Sequence, residues 1–368
     1  MATTVDDVPI LLTGFPGFLA DHLLRNLAGD RRAPIHILSL PSTVELARTR
    51  LTMMERDWPG LKNRWTVHPG DISKPDLGLQ AKTYATLTAE IGVVWHLAAI
   101  YDLAVEAQLA YRVNVGGTGY ILDFCTACAD FHRLNYVSTC YVSGERTGTI
   151  YEDELDRGQH HKNHYEATKF WAEVEVQRRR KDIPTTIFRP GIVVGNSTTG
   201  ETNKYDGPYY IFQLLHRLPE WMPFPNIGSG NAVVNLVPID VIAQALSALG
   251  KHEETQGETL HLADPHPMTA QQIVNQVLAL LGRRPTVGRL PASWVERALD
   301  NKTVSEWTGV PKEALVYFNH DARYDTTRAS NHLEKLDIHI PHLSIYLNNL
   351  VDFYLRHPEE PPGLLEAR

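Results

Sequence analysis

Apolar residues in the first half of the chain follow two alternating patterns. Short unbroken runs at 8–13, 35–40, 65–67, 92–99, 134–138 and 185–188 read as strands buried on both faces. Between several of them, apolar residues recur every three or four positions. Leu19, Leu23, Leu24 and Leu27 show this spacing, which lines one face of a helix. Strands alternating with helices predict an α/β fold: a doubly wound parallel sheet with right-handed crossovers. In that architecture ligands bind at the carboxyl ends of the strands.

After Gly195 the pattern changes. Residues 196–230 are rich in Gly, Pro, Asn and aromatic residues and read as irregular. A helical pattern returns at 238–249, and 259–263 reads as a late strand of the same sheet. Thr269-Ala-Gln-Gln272 is a capping box that opens a helix stopping at Gly282. The remainder reads as short helices and loops. The expected division is a sheet domain of residues 1–195, to which 234–265 return, and a smaller, mostly helical C-terminal lobe of 196–233 and 266–368. No repeat or low-complexity linker separates the two, so they should be interleaved.

Composition narrows the function. The 368 residues are 43% hydrophobic and 21% charged, as expected for a folded soluble chain. Thirty-five basic and 43 acidic residues leave a formal charge of −8 with no basic block, which argues against nucleic acid as a partner. The run 178–181, Arg-Arg-Arg-Lys, reads as the cationic end of a helix. No signal peptide is visible, and no apolar run reaches the roughly 18 residues of a membrane span. Three cysteines, Cys125, Cys128 and Cys140, fit a reducing compartment, so a cytoplasmic location is expected. Cys125 and Cys128 fall inside a helical pattern and His160, His161 and His164 in a polar loop, so no metal site is expected. Asn163 is placed to cap the helix that follows.

The first strand runs into Thr13-Gly14-Phe15-Pro16-Gly17-Phe18-Leu19-Ala20, a GxxGxxA turn that opens a helix. Gly14 can take a backbone conformation closed to residues with a Cβ, and Gly17 lets the chain approach a pyrophosphate. The helix N-terminus then offers free N–H groups and a positive dipole end to the anion. In this context the turn predicts a dinucleotide site. Strand two ends in Ser39-Leu40-Pro41-Ser42 with no acid to grip a ribose 2′-hydroxyl, and Arg48 and Arg50 follow. This favours NADP over NAD. Asp71 and Ile72 after strand three, and Ala98 and Ala99 after strand four, should contact the cofactor.

Tyr165 and Lys169 are four residues apart on a helical stretch and so share a face. Strand five ends in Ser138-Thr139-Cys140-Tyr141. A carbonyl that accepts hydride gains negative charge on oxygen. Tyr165 can protonate it and Thr139 can hydrogen-bond it. A Lys169 charge about 4 Å from the phenol would be worth about 4 kcal/mol at an effective dielectric of ~20. That is enough to bring a phenol from about 10 toward neutrality. YxxxK alone is a common coincidence; here it follows the glycine turn and the Ser-Thr strand end in the required order. Ser138, Tyr141, Tyr205 and Tyr209 are candidates for the substrate side, where the aromatic segment with Tyr210, Trp221 and Phe224 could line an apolar pocket.

Taken with His96-Leu-Ala-Ala99, Asn114-Val-Gly-Gly-Thr118, Phe188-Arg-Pro-Gly191 and Asn235-Leu-Val-Pro-Ile-Asp240, these motifs resemble the extended short-chain dehydrogenase/reductases. More narrowly, they resemble the fatty acyl-CoA reductase and thioester reductase branch. The resemblance runs over about residues 8 to 265. It implies a Rossmann-like NAD(P) domain with a C-terminal substrate lobe, and Thr139, Tyr165 and Lys169 as the catalytic set. It also implies that Asn114 supports the site and that Pro190, Gly191, Ile192 and Val193 contact the nicotinamide end. A homodimer through the Tyr165 helix and its neighbour is a further implication. Leu40 stands where the branch often has arginine. No adenylation or carrier domain accompanies the motifs, so the substrate is expected free or in trans. The expected reaction is hydride transfer to a carbonyl, first an acyl thioester, with free aldehydes or ketones as an alternative and nucleotide-sugar epimerisation behind it. An NADP-sensing regulator on the same fold is the non-enzymatic alternative.

Overall fold

In the computed structural model, residues 7–30, 32–101, 105–301, 308, 320–359 and 361 are described. The strands are β1 (Ile10–Thr13), β2 (Ile35–Ser39), β3 (Trp65–Pro69), β4 (Val93–His96), β5 (Arg133–Val137), β6 (Gly148–Ile150), β7 (Thr185–Pro190), β8 (Ile192–Val194), β9 (Asn226–Ile227), β10 (Leu236–Pro238), β11 (Thr259–Leu262), β12 (Arg289–Leu290) and β13 (Ala322–Tyr324). Seven of them form one parallel sheet in the order β11-β7-β5-β4-β1-β2-β3. These seven are the six early apolar runs and the late one.

The register puts Thr13 beside Leu38 and His96, so β1, β2 and β4 end at one level. Side chains alternate along β1. Ile10 and Leu12 enter a core with Leu23, Leu27, Ile37, Leu51 and Leu246, while Leu11 enters the opposite core with Val94, Ile121, Phe124 and Tyr136. Both faces are apolar because both are covered, which is why the run shows no polar alternation.

The covering helices are α1 (Phe18–Asp30), α2 (Val44–Asp57), α3 (Ala81–Glu90), α4 (Ala107–Ala110), α5 (Gly117–Ala127), α6 (His164–Arg179) and α8 (Ile239–Leu249), while α7 (Tyr209–Arg217) and α9 (Ala270–Leu280) pack away from the sheet. A π-helical turn at Tyr111–Gly116 joins α4 to α5. Asn163 caps α6 by accepting from the Glu166 N–H, and the Thr269–Gln272 capping box opens α9. Among the described residues, no helix is long and apolar enough to cross a membrane.

A second core lies beside the sheet, built from Tyr209, Phe212, Leu236, Ile273, Val277, Tyr346, Leu350 and Tyr354. Two expectations need correction. The stretch 196–230 is not wholly irregular: α7 buries Tyr209, Phe212 and Leu215, which recur every third residue, a period that the surrounding aromatic content masks. Nor do residues 266–368 all belong to the second lobe. The helix Thr327–Lys335 packs on β11 and α8, and Ala329, Leu333 and Ile338 join the sheet core. It supplies the apolar cover that edge strand β11 needs. Residues 302–307, 309–319, 360 and 362–368 of that segment lie outside the described residues.

Candidate active site

A cavity of about 980 Å³ opens along the carboxyl ends of β1, β2, β4, β5 and β7, at the upper end of the size of ligand sites (about 300–1,000 Å³). Its floor is the glycine turn. Gly14 has φ +91°, and a Cβ there would sit 2.9 Å from the Ala98 nitrogen; a Cβ on Gly17 would sit 2.6 Å from the Gly14 carbonyl. The turn is closed by Gly17 N–H donating to the Gly14 carbonyl at 2.8 Å. Neither position tolerates a side chain, so bare backbone and the α1 N-terminus face the cavity, as a dinucleotide phosphate requires.

The turn is fixed from beneath. Thr13 Oγ1 accepts from the Leu97 and Ala98 N–H groups at 3.2 and 3.1 Å and donates to His96 Nδ1 at 2.9 Å. His96 Nε2–H then donates to Thr118 Oγ1 at 3.2 Å, and Thr118 donates to the Asn114 carbonyl at 2.6 Å. Burial, with some help from Lys169, drives the His96 pKa down to about 3, so the ring stays neutral in this relay. Asn114 holds the Ile100 backbone through both atoms of its amide, at 2.8 and 3.3 Å, and donates to Thr168 Oγ1 at 3.0 Å. It ties α6 to the loop after β4 and does not line the cavity.

Gly14, Phe15, Pro16, Gly17, Phe18 and Leu19 line the cavity at one end, with Ser39, Asp71, Ile72, Ala98 and Ala99. Thr139, Tyr141, Tyr165, Lys169 and Pro190 to Val193 line the other. Lys169 is buried. Its Nζ donates to the Val137 carbonyl at 2.8 Å and the Tyr136 hydroxyl at 3.3 Å, and lies 4.7 Å over the Tyr136 ring. Burial lowers its pKa to about 8 against the pull of Glu173. Tyr165 meets Tyr101 edge-on at 4.9 Å, and its phenol is pushed up by burial while a hydrogen bond with Thr139 opposes the rise. This corrects the expectation that Lys169 lowers the phenol. Here the ammonium bonds to β5 and burial decides the direction.

Three further expectations fail. Arg48 does not reach the cavity; it pairs with Glu45 at 2.8 Å on the exposed face of α2. Arg50 is buried against Asp21 at 2.7 Å, so neither arginine is placed to hold a 2′-phosphate. Tyr205 and Tyr209 belong to the second core. The Tyr205 hydroxyl donates to the His357 carbonyl at 2.8 Å, and the Tyr209 hydroxyl accepts from Gly195 N–H at 3.0 Å. Ser138 borders the cavity, but its hydroxyl donates to buried Glu173 at 2.6 Å. Glu173 also pairs with Arg189 at 2.5 Å.

The far wall comes from Tyr210, named in the aromatic segment, and from residues that sequence reasoning missed: Tyr101, Thr202, Lys204, Asp206 and Pro208. Lys204 pairs with Asp206 at 2.9 Å and lies 4.9 Å over the Tyr101 ring. Only Tyr210 had a signal, its place in the aromatic segment beside the two tyrosines chosen instead.

The fold is a Rossmann-like parallel sheet with its cavity at the carboxyl ends of the strands. The chain belongs to the male sterility protein family of NAD-binding domains, whose model matches residues 12–246. It is 26% identical over 297 residues to the glycine betaine reductase ATRR of Emericella nidulans, covering 76% of this chain and 23% of that one. It is 27% identical to the fatty acyl-CoA reductase wat of Drosophila melanogaster, covering 52% and 42%. The chain thus spans only a minor part of these relatives. The terminal R domain of the myxalamid PKS-NRPS pathway shares the fold, with TM-score 0.79, 24% identity and coverage of 97% and 95%. So does the UDP-glucuronic acid 4-epimerase of Bacillus cereus in complex with NAD, at TM-score 0.66, 21% identity and coverage of 95% and 99%.

Proposed function

We propose that this protein reduces an acyl thioester to the aldehyde with NADPH, with Thr139, Tyr165 and Lys169 as its catalytic residues. The observation that carries the reading is that one cavity joins the glycine turn to the Thr139–Tyr165 pair and continues into a wall of Tyr101, Pro208, Tyr210 and Val234. These aromatic and apolar side chains would suit an acyl chain, beside the Lys204–Asp206 pair that lines the same wall. The relatives named for fatty acyl-CoA reduction and for a terminal R domain support the same substrate class.

The floor of the cavity fits a dinucleotide: a Cβ on Gly14 or Gly17 would collide with neighbouring backbone, so the turn stays bare beside the α1 N-terminus, where the phosphates would bind. Phe18 and Leu19 at the α1 N-terminus, Ser39, Asp71, Ile72, Ala98 and Ala99 would hold the adenosine half, and Pro190 to Val193 the nicotinamide half. When bound, the nicotinamide supplies the hydride. Tyr165, kept protonated by burial, donates its proton to the carbonyl oxygen as charge develops there. Thr139 hydrogen-bonds the same oxygen. The product of that step is a hemithioacetal, and collapse of its C–S bond releases the thiol and leaves the aldehyde. Lys169 supplies a positive charge at the end of β5 below pH 8 and would hold the nicotinamide ribose. NADPH is proposed over NADH because Ser39, Leu40 and Thr43, the residues lining the cavity after β2, carry no acid. The free thiols of Cys125, Cys128 and Cys140 suit a reducing compartment, which supports the cytoplasm as its location. The test compares kcat/KM for NADPH and NADH with an acyl-CoA series. A preference for NADH, or no turnover of any acyl-CoA, would overturn the proposal.

A further inference from the structure

A second cluster lies at the opposite end of the sheet, beyond the amino end of β11. His252 follows α8, Glu254 stands in the turn before β11, and His332 reaches over from the helix Thr327–Lys335. One donor atom from each lies within 4.8 Å of the other two.

The two rings are set for a cation. The His252 carbonyl accepts from Arg133 Nη1 at 2.9 Å and Thr255 Oγ1 at 2.8 Å, which fixes its backbone. His332 Nε2 faces Glu258 Oε2 at 3.2 Å. A carboxylate there keeps the proton on Nε2 and leaves Nδ1 with a bare lone pair. His332 Nδ1 is buried, has no hydrogen-bond partner among the described residues and lies 4.0 Å from Glu254 Oε2. His252 Nδ1 is likewise buried with no hydrogen-bond partner among the described residues, and the ring centroids are 6.0 Å apart. A histidine ligand whose second nitrogen is held by a carboxylate is the usual supporting arrangement of a metal site.

We infer that His252, Glu254 and His332 bind a divalent transition-metal ion of the zinc class, with Glu258 as positioning residue. Two imidazoles and a carboxylate suit zinc. Metal–ligand bonds of about 2.0–2.1 Å in tetrahedral geometry place donors about 3.4 Å apart, so small side-chain rotations close the set. Lys335 Nζ, now 2.6 Å from Glu254 Oε2, is more than half exposed and free to swing away. The ion would staple the helix Thr327–Lys335 to the turn that feeds edge strand β11. The site is remote from the cavity, so it stabilises the fold without entering the hydride chemistry.

The test titrates chelator-treated full-length protein with Zn²⁺, and with Co²⁺ as a spectroscopic probe. One equivalent should bind, Co²⁺ should give the visible absorption of a four-coordinate site, and Tm should rise by about 3–6 °C at metal 100-fold above Kd. His332→Gln and Glu254→Gln should abolish these effects; Glu254 is exposed, so its variant folds in any case. Glu258→Gln should weaken binding ~10–100-fold. Turnover should be unchanged. Absence of a Tm shift and of the cobalt spectrum, or binding by Glu254→Gln equal to wild type, would overturn the inference.

Discussion

The two ends of the cavity are built by different means. The cofactor end is backbone and small residues on consecutive strand–helix turns, held by the buried relay of Thr13, His96, Thr118 and Asn114. The substrate end is side chains from distant segments: Tyr101 after β4, Thr202 to Pro208, Tyr210 on α7 and Val234 before β10. The first is a geometry that the fold imposes on any member of its class. The second is chemistry that can vary while the fold stays fixed. Changes at the first should therefore cost binding of cofactor, or folding itself. Changes at the second should alter which carbonyl is reduced.

The largest effect is expected where the two ends meet. Tyr165→Phe removes the proton donor and should lower kcat by about 10²–10⁴-fold, with cofactor affinity by fluorescence titration almost unchanged. An equal loss of cofactor binding would place the phenol on the cofactor side and erase the distinction. Next in size, Asp21→Ala removes a buried carboxylate that pairs with Arg50 at 2.7 Å. Burial raises the Asp21 pKa, but Arg50 and Arg25 outweigh it and hold the group low, so the carboxylate is ionised in the fold. Removing that buried carboxylate from beside Arg50 and Arg25 should cost about 3–5 kcal/mol of stability, read by denaturant unfolding. A loss under 1 kcal/mol would mean that the pair does not support α1.

Tyr210→Ala should raise KM for long acyl substrates about tenfold, on the scale of one large apolar contact, and leave the Kd for cofactor alone. A pH profile is the next test. Burial lowers the Lys169 pKa to about 8 and raises that of Tyr165. Below pH 8 the ammonium is charged and the phenol protonated. As pH rises through about 8 the positive charge is lost, so kcat should fall along an alkaline limb while Tyr165 stays protonated. A flat profile to pH 10 would remove Lys169 from the account. The smallest effect belongs to Tyr205→Phe, which loses one hydrogen bond to the His357 carbonyl. It should cost about 0.5–1.5 kcal/mol of stability with unchanged kinetics; a changed KM would return Tyr205 to the substrate wall.

The same contrast explains what was legible in the sequence. Gly14, Gly17 and Ala98 were readable because each satisfies a local backbone demand, and such demands leave a short motif; Pro190 came only from the family resemblance. The parallel sheet was readable because strands covered on both faces are apolar without interruption. Arg48 and Arg50 mislead because nearness in sequence says nothing of which acid claims a cation; Glu45 and Asp21 claim these two. Tyr205 and Tyr209 stand out over Tyr210 because an aromatic cluster does not reveal which face of its helix is packed. The helix Thr327–Lys335 reads as part of the wrong lobe because its partners, β11 and α8, lie some 70 to 90 residues earlier in the chain.

The central claim is that the Thr139–Tyr165 pair reduces a thioester and not merely a free carbonyl. The direct measurement is the stoichiometry of thiol released to NADPH oxidised, with an acyl-CoA as sole substrate and the aldehyde trapped as it forms. The account predicts one thiol per NADPH, abolished in Tyr165→Phe. NADPH oxidation with free aldehydes or ketones but no thiol release from any acyl-CoA would contradict it.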